Sequence, residues 1–175
     1  MIDRFSLPLG RMFITSLPVL LALLAVILVN LPISLTGGLV PAPLLAFACI
    51  YFWALMRPDL MPPIAVLIIG LLEDLLSGGP PGLWAAGFLA AYTFTDRQRE
   101  ALEGLSGIGA VLGFAAALSV AGVVVYALAS VVYWRLPPVG PLLLTSAVTV
   151  VFYPLVAIFL GWLQRRVVGA MRGTL

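Results

Sequence analysis

"GLLEDLLSGGPPG", Gly70–Gly82, places two adjacent acids, Glu73 and Asp74, at the end of a run that otherwise suits hydrocarbon. The Leu, Ile and Val residues between Ile64 and Leu76 return roughly 3 to 5 kcal/mol on a membrane-insertion scale, whereas a charged Asp at a helix centre costs about 2.5 to 3.5 kcal/mol. Two central, charged acids would cancel the gain. The pair therefore lies near an interface, is protonated, or is enclosed by polar partners.

Helix geometry separates the two acids. Neighbouring side chains point about 100° apart, while Gly70, Asp74 and Ser77 share one face at i, i+4 and i+7. Asp74 is accordingly the candidate for the protein interior: Gly70 admits another backbone, Ser77 offers a hydroxyl and Gly78 is placed as a left-handed C-cap. An acid near a helix C-terminus opposes the helix dipole, so an approaching helix N-terminus or an Arg is expected to hold it. Pro80 and Pro81 precede such an N-terminus at Gly82. A buried acid of this kind is expected to serve as a neutral hydrogen-bond donor. The competing reading leaves both acids exposed at headgroup level, at the end of a short span.

The rest of the chain sets the same solvent. Of its 175 residues 63% are hydrophobic and 9% charged, and the mean hydropathy is +1.19, against about 25% charged residues in soluble proteins. An integral membrane protein is expected, forming a single domain over residues 1–175 in the lipid bilayer. Six apolar stretches follow one another: Met12 to Val29, Leu39 to Met56, Pro62 to Leu76, Leu83 to Thr95, Gly107 to Trp134 and Val139 to Leu163. Their connections are rich in Pro and Gly: Pro32, Gly37 and Gly38, then "RPDLMPP", "SGGPPG", "DRQREALEG" and "RLPPVGP". The third and fourth stretches are short. Fifteen residues reach about 22 Å against a roughly 30 Å hydrocarbon core, so six spans, or four spans plus a re-entrant helical hairpin over residues 62–95, both fit. The first stretch reads as an uncleaved span, because "NLPISL" follows it without a small-residue cleavage site.

Charge orients the chain. The nine cations are all Arg, and Arg4, Arg11, Arg57, Arg97, Arg99, Arg165, Arg166 and Arg172 fall on one side of this span assignment, with Arg135 alone opposite. Both termini are then cytoplasmic, with Trp53, Trp134 and Trp162 near span ends as interfacial anchors. A net charge of +2, scattered along the chain, gives no reason to expect nucleic acid.

The absence of His and Lys from the sequence removes Ser-His catalysis, His-ligated metals, Schiff-base retinal and a Walker lysine. The lone Cys49 cannot build a zinc site or an internal disulfide. The only deep acids are adjacent, which excludes an aspartyl dyad split between helices. No enzyme, metal or cofactor is expected. "GAVLG", Gly109–Gly113, extended by Ala117, is a small-residue face that either packs against the chain's own helices or docks a neighbouring one.

"YFWALMRPDL" followed by "GLLEDLLSGGPPGL" resembles the rod shape-determining MreD family. The likeness rests on the Arg57-Pro58 turn and on Gly70, Asp74, Leu75, Ser77, Gly78 and Gly82 in a G-x-x-x-D-L-x-S-G-x-x-x-G pattern. Glu73 stands where such proteins commonly carry an apolar residue, and Pro80 and Pro81 stiffen the turn. The resemblance implies an all-α bundle of about six transmembrane helices with a short central hairpin, similar to the substrate-binding subunits of energy-coupling-factor transporters. It also implies a non-enzymatic subunit of the bacterial inner-membrane elongation machinery. Such a subunit binds the single-span protein MreC and is linked through it to MreB filaments, the RodA polymerase and a class B penicillin-binding protein. A vitamin-transporter subunit is the alternative, but the first span offers Ala22 and Ala25 rather than an A-x-x-x-A face.

Overall fold

Proline and glycine set the ends of the central helices. Pro58 comes just after the C-cap residue of one helix, Arg57, and opens a 3-10 turn (Pro58–Leu60), extended Pro62 precedes the next, and that helix begins with Pro63 in its first turn. The computed structural model describes residues 6–31 and 41–167, with side chains for 16–31 and 41–166. Within them run α1 (Ser6–Asn30), α2 (Leu45–Met56), α3 (Pro63–Ser77), α4 (Leu83–Arg97), α5 (Arg99–Glu103), α6 (Ile108–Tyr133) and α7 (Val139–Val167). The described residues contain no strand. Arg4, Arg172 and the first turn with Pro32, Gly37 and Gly38 lie outside them.

The six apolar stretches correspond to α1, α2, α3, α4, α6 and α7, and the structure adds α5, which falls in the segment expected to be a loop. Arg99 Nε donates to Glu103 Oε1 one turn further on, and Leu102 is buried. One ion pair and one anchoring leucine make this helix, too short to leave a periodic trace. Among the described residues, α6 and the Val139–Arg166 part of α7 are long and apolar enough to cross a membrane. The described apolar parts of α1 (Ser16–Asn30) and α2 are shorter, and α3 and α4 have 15 residues each.

Helices α1, α3, α4, α6 and α7 follow one another in an arc around α2, which itself packs against α1, α4, α6 and α7. Every residue of α2 from Ala46 to Leu55 is buried, as an all-round apolar helix requires. Its aromatic residues join those of its neighbours: Phe47 lies 5.5 Å from both Phe88 of α4 and Phe114 of α6, and Phe114 stacks on Tyr153 of α7 at 4.0 Å. Trp53 is fully buried in this core and its indole N–H has no partner. It is therefore not the interfacial anchor expected from its place near a span end, because α2 is enclosed on all sides. Trp134 and Trp162 are 92% and 45% exposed.

Small residues bring α4 against α6. A Cβ at Gly87 would stand 2.7 Å from Val125 Cγ2 and 3.1 Å from the Ala121 carbonyl oxygen, so only glycine permits this separation. Thr149, in the middle of α7, accepts a hydrogen bond from the buried Leu44 N–H at 3.0 Å and donates to the Thr145 carbonyl. One hydroxyl thus serves the N-terminus of α2 and its own helix.

Candidate functional site

The hairpin of α3 and α4 is closed by a single side chain. Asp74 Oδ2 accepts hydrogen bonds from the backbone N–H of Gly82 at 2.8 Å and of Ala85 at 3.2 Å, and Oδ1 accepts from Trp84 N–H at 2.8 Å. Asp74 is fully buried. The first N–H groups of a helix have no intrahelical acceptor, and here the preceding helix supplies one; Gly82, the N-cap residue, has no side chain to do so. Of the two holders expected for Asp74, the structure has the helix N-terminus. Both carboxyl oxygens accept backbone N–H hydrogen bonds.

Three glycines near Asp74 in the sequence make this geometry attainable. A Cβ at Gly70 would lie 2.4 Å from Ala85 Cα, so the hairpin closes only with glycine there. Gly78 ends α3 at φ 71° and Gly82 starts α4 at φ 101°, both in the region that glycine enters without a Cβ penalty. Ser77 is exposed and donates to the Asp74 carbonyl oxygen at 3.3 Å, which places its hydroxyl on the chain end of α3 and away from the carboxyl group.

Glu73 is buried as well, at 5% exposure, and its Oε1 accepts from Asn30 Nδ2 of α1 at 3.4 Å. The reading in which both acids are exposed at the end of a short span is thereby overturned. Helix α3 is packed between α1 and α4, so two side chains about 100° apart meet different helices and neither meets solvent.

No family model, curated protein or solved structure matches this chain.

Arg57 and Pro58 precede α3 at the opposite end from Asp74, which lies about 16 Å along the helix axis from Pro63, and do not join the hairpin tip. Arg57 forks onto Asp59, with Nε to Oδ1 at 3.1 Å and a terminal nitrogen to Oδ2 at 3.0 Å. These bonds, helped by the charge of Arg57 and weakly by that of Arg99, hold Asp59 below the usual carboxylate range. Arg99 of α5 thus shares this charged end of the molecule with Arg57 and Asp59. Gly113 and Ala117 are buried, and a Cβ at Gly113 would lie 2.8 Å from Leu102 Cδ2 and 3.0 Å from the Tyr51 hydroxyl. Gly109 packs against Leu105. Of the two occupants considered for this face, the chain's own helices fill it, and a neighbouring helix has no room at Gly113.

The sequence reading missed four members of these constructions: Asn30, Asp59, Gly87 and Thr149. Asp59 had a usable signal, an acid two residues from an arginine across a proline turn. The other three are joined to their partners only by the tertiary fold.

Proposed function

We propose that this chain is a multi-pass protein of the bacterial inner membrane, with both termini cytoplasmic. In this reading it acts without catalysis as a scaffold subunit of the rod-type elongation complex, as its resemblance to the MreD family implies. The observation that carries the reading is the Asp74 cap: Gly70, Asp74, Gly78 and Gly82, four residues of the resembling pattern, take part in one construction, the closure of the α3–α4 hairpin. Their task is to fix one helix against another, which is the work of a scaffold.

Two further observations support it. Helices α6 and α7 are long and apolar enough to cross a membrane. The α7 residues Val151, Leu155 and Ile158, on one face at i, i+4 and i+7, are 72%, 65% and 68% exposed. Such a stripe belongs in hydrocarbon or against another apolar helix.

The mechanism that follows is mechanical. The capped hairpin fixes α4, α4 fixes α6 through Gly87, and α6 with α7 presents an apolar face of defined shape to the transmembrane helix of a single-span, MreC-like partner. The Arg57–Asp59 and α5 turns lie on the cytoplasmic side, towards the MreB-like filament, and the polymerase and class B penicillin-binding protein join through the partner. Kinship of the bundle with energy-coupling-factor subunits belongs to the same proposal. The test is co-purification in detergent with single-span partners, joined to depletion in the source cell. The expected outcome is recovery of one such partner and loss of rod width control on depletion; unchanged width together with no partner would refute the proposal.

A further inference from the structure

Among the described residues Arg135 forms no ion pair. The side-chain ion pairs among the described residues join Arg57 to Asp59 and Arg99 to Glu103, while Glu73 and Asp74 are engaged by Asn30 and by the α4 backbone. Next to Arg135, the chain leaves α6 at Trp134, a non-glycine residue at φ 51° whose ring is left open to the surroundings. Ser130, Trp134, Arg135 and Leu136 line a cavity of about 390 Å³ at this point.

A second cavity, of about 350 Å³, lies between α6 and α7 and is lined by Leu118, Gly122, Val123, Leu142 and Leu143 among others. The two cavities share one face of α6, along which Ser119, Gly122, Tyr126 and Ser130 succeed one another at three- and four-residue spacing. From Ser119 to Ser130 the helix rises about 16 Å, roughly half of a 30 Å hydrocarbon core and so the depth of one leaflet. The groove is lined mainly by apolar side chains. Ser119 and Ser130 donate their hydroxyl protons to the Ala115 and Tyr126 carbonyl oxygens, Tyr126 and Ser146 add two hydroxyls within an otherwise apolar lining, and the Arg135 guanidinium and the Trp134 indole N–H stand as donors at its upper end.

We infer that this face of α6 binds one anionic phospholipid of the outer leaflet. Its phosphate sits on Arg135 and the Trp134 indole N–H, and one acyl chain lies in the α6–α7 groove. Charge complementarity chooses the head: a guanidinium with no ion pair among the described residues neutralises a phosphodiester, and no carboxylate lines the two cavities to receive the cationic group of a zwitterionic headgroup. The site rests on the membrane orientation proposed above.

The experiment is native mass spectrometry of the delipidated protein in detergent, titrated separately with phosphatidylglycerol, phosphatidylcholine, short-chain glycerophosphate and inorganic phosphate. One phosphatidylglycerol is expected to be retained at least about tenfold more tightly than phosphatidylcholine, with Arg135→Gln abolishing that preference and Arg135→Lys restoring part of it. Gly122→Leu, placed where a Cβ has only Leu142 Cδ2 near it at 4.0 Å, fills the groove and is expected to weaken the diacyl lipid while leaving short-chain glycerophosphate unchanged. Equal retention of the two phospholipids, an unaffected Arg135→Gln variant, or displacement of the lipid by inorganic phosphate alone would overturn the inference. A protein that stays monodisperse without detergent would instead overturn the membrane reading beneath it.

Discussion

Replacing Asp74 with Leu takes the acceptors from three backbone N–H groups at once. The bonds to Gly82 and Trp84 are 2.8 Å long and that to Ala85 is 3.2 Å, and with Asp74 at 0% and Ala85 at 1% exposure water has no room to take over at Ala85. A buried donor left without its partner costs about 1 to 3 kcal/mol, so two short bonds and one longer one give a loss of about 3 to 6 kcal/mol. An ordinary helix cap contributes about 1 kcal/mol. Asp74→Asn is expected to fall between. Its one remaining oxygen can keep the Gly82 and Ala85 bonds, its amide faces the Trp84 N–H, and the loss is that of a single bond, about 1 to 3 kcal/mol. Equilibrium unfolding in mixed micelles, with hydrogen exchange at the amides of residues 82 to 85, measures both the size and the place of the effect. If the Leu variant unfolds within about 1 kcal/mol of the parent and the Trp84 and Ala85 amides stay protected, the cap does not hold the hairpin.

Three other perturbations test neighbouring parts of the structure. Gly70→Ala, whose new methyl would stand 2.4 Å from Ala85 Cα, must push backbone apart and is expected to cost at least about 2 kcal/mol. Gly78→Ala meets no atom within 4 Å and is expected to cost about 1 to 2 kcal/mol from its left-handed backbone alone; the same unfolding measurement ranks the two. Thr149→Val removes the acceptor of the buried Leu44 N–H and should destabilise by about 1 to 2 kcal/mol, with faster amide exchange confined to the start of α2. Asp59, held low by Arg57, contributes stability that is present above the unfolded carboxylate value of about 4 and is lost as pH falls through its lower folded value. With side-chain exposures of 38% and 58% the pair is worth less than about 0.5 kcal/mol, and Asp59→Asn should flatten that small slope in an acid titration of stability.

The hairpin was legible because its residues carry unusual demands within a few positions of one another. Asp74 in an apolar run needs donors, and Pro80, Pro81 and Gly82 announce a helix start eight residues later. The burial of Glu73 was not legible, since its enclosure depends on Asn30, which the fold brings from 43 residues away. Trp53 was misread for a related reason: α2 is apolar on every side, so its pattern gives no face, and nearness to a span end says nothing about enclosure. The close approach at Gly87 likewise depends on Ala121 and Val125 of another helix. The internal use of Gly113 was one of two readings that a small-residue stripe always permits. Leu102, Leu105 and the Tyr51 hydroxyl, brought onto this face by the fold, decide between them.

The donors that satisfy Asp74 lie 8 to 11 residues downstream of it. During synthesis the acid therefore leaves the ribosome before its acceptors are matched, and α3 on its own carries a penalty of about 2.5 to 3.5 kcal/mol against partitioning. Under the membrane reading proposed above, this favours entry of the two short helices into the bilayer as a pair, with the acid matched as the second helix joins the first.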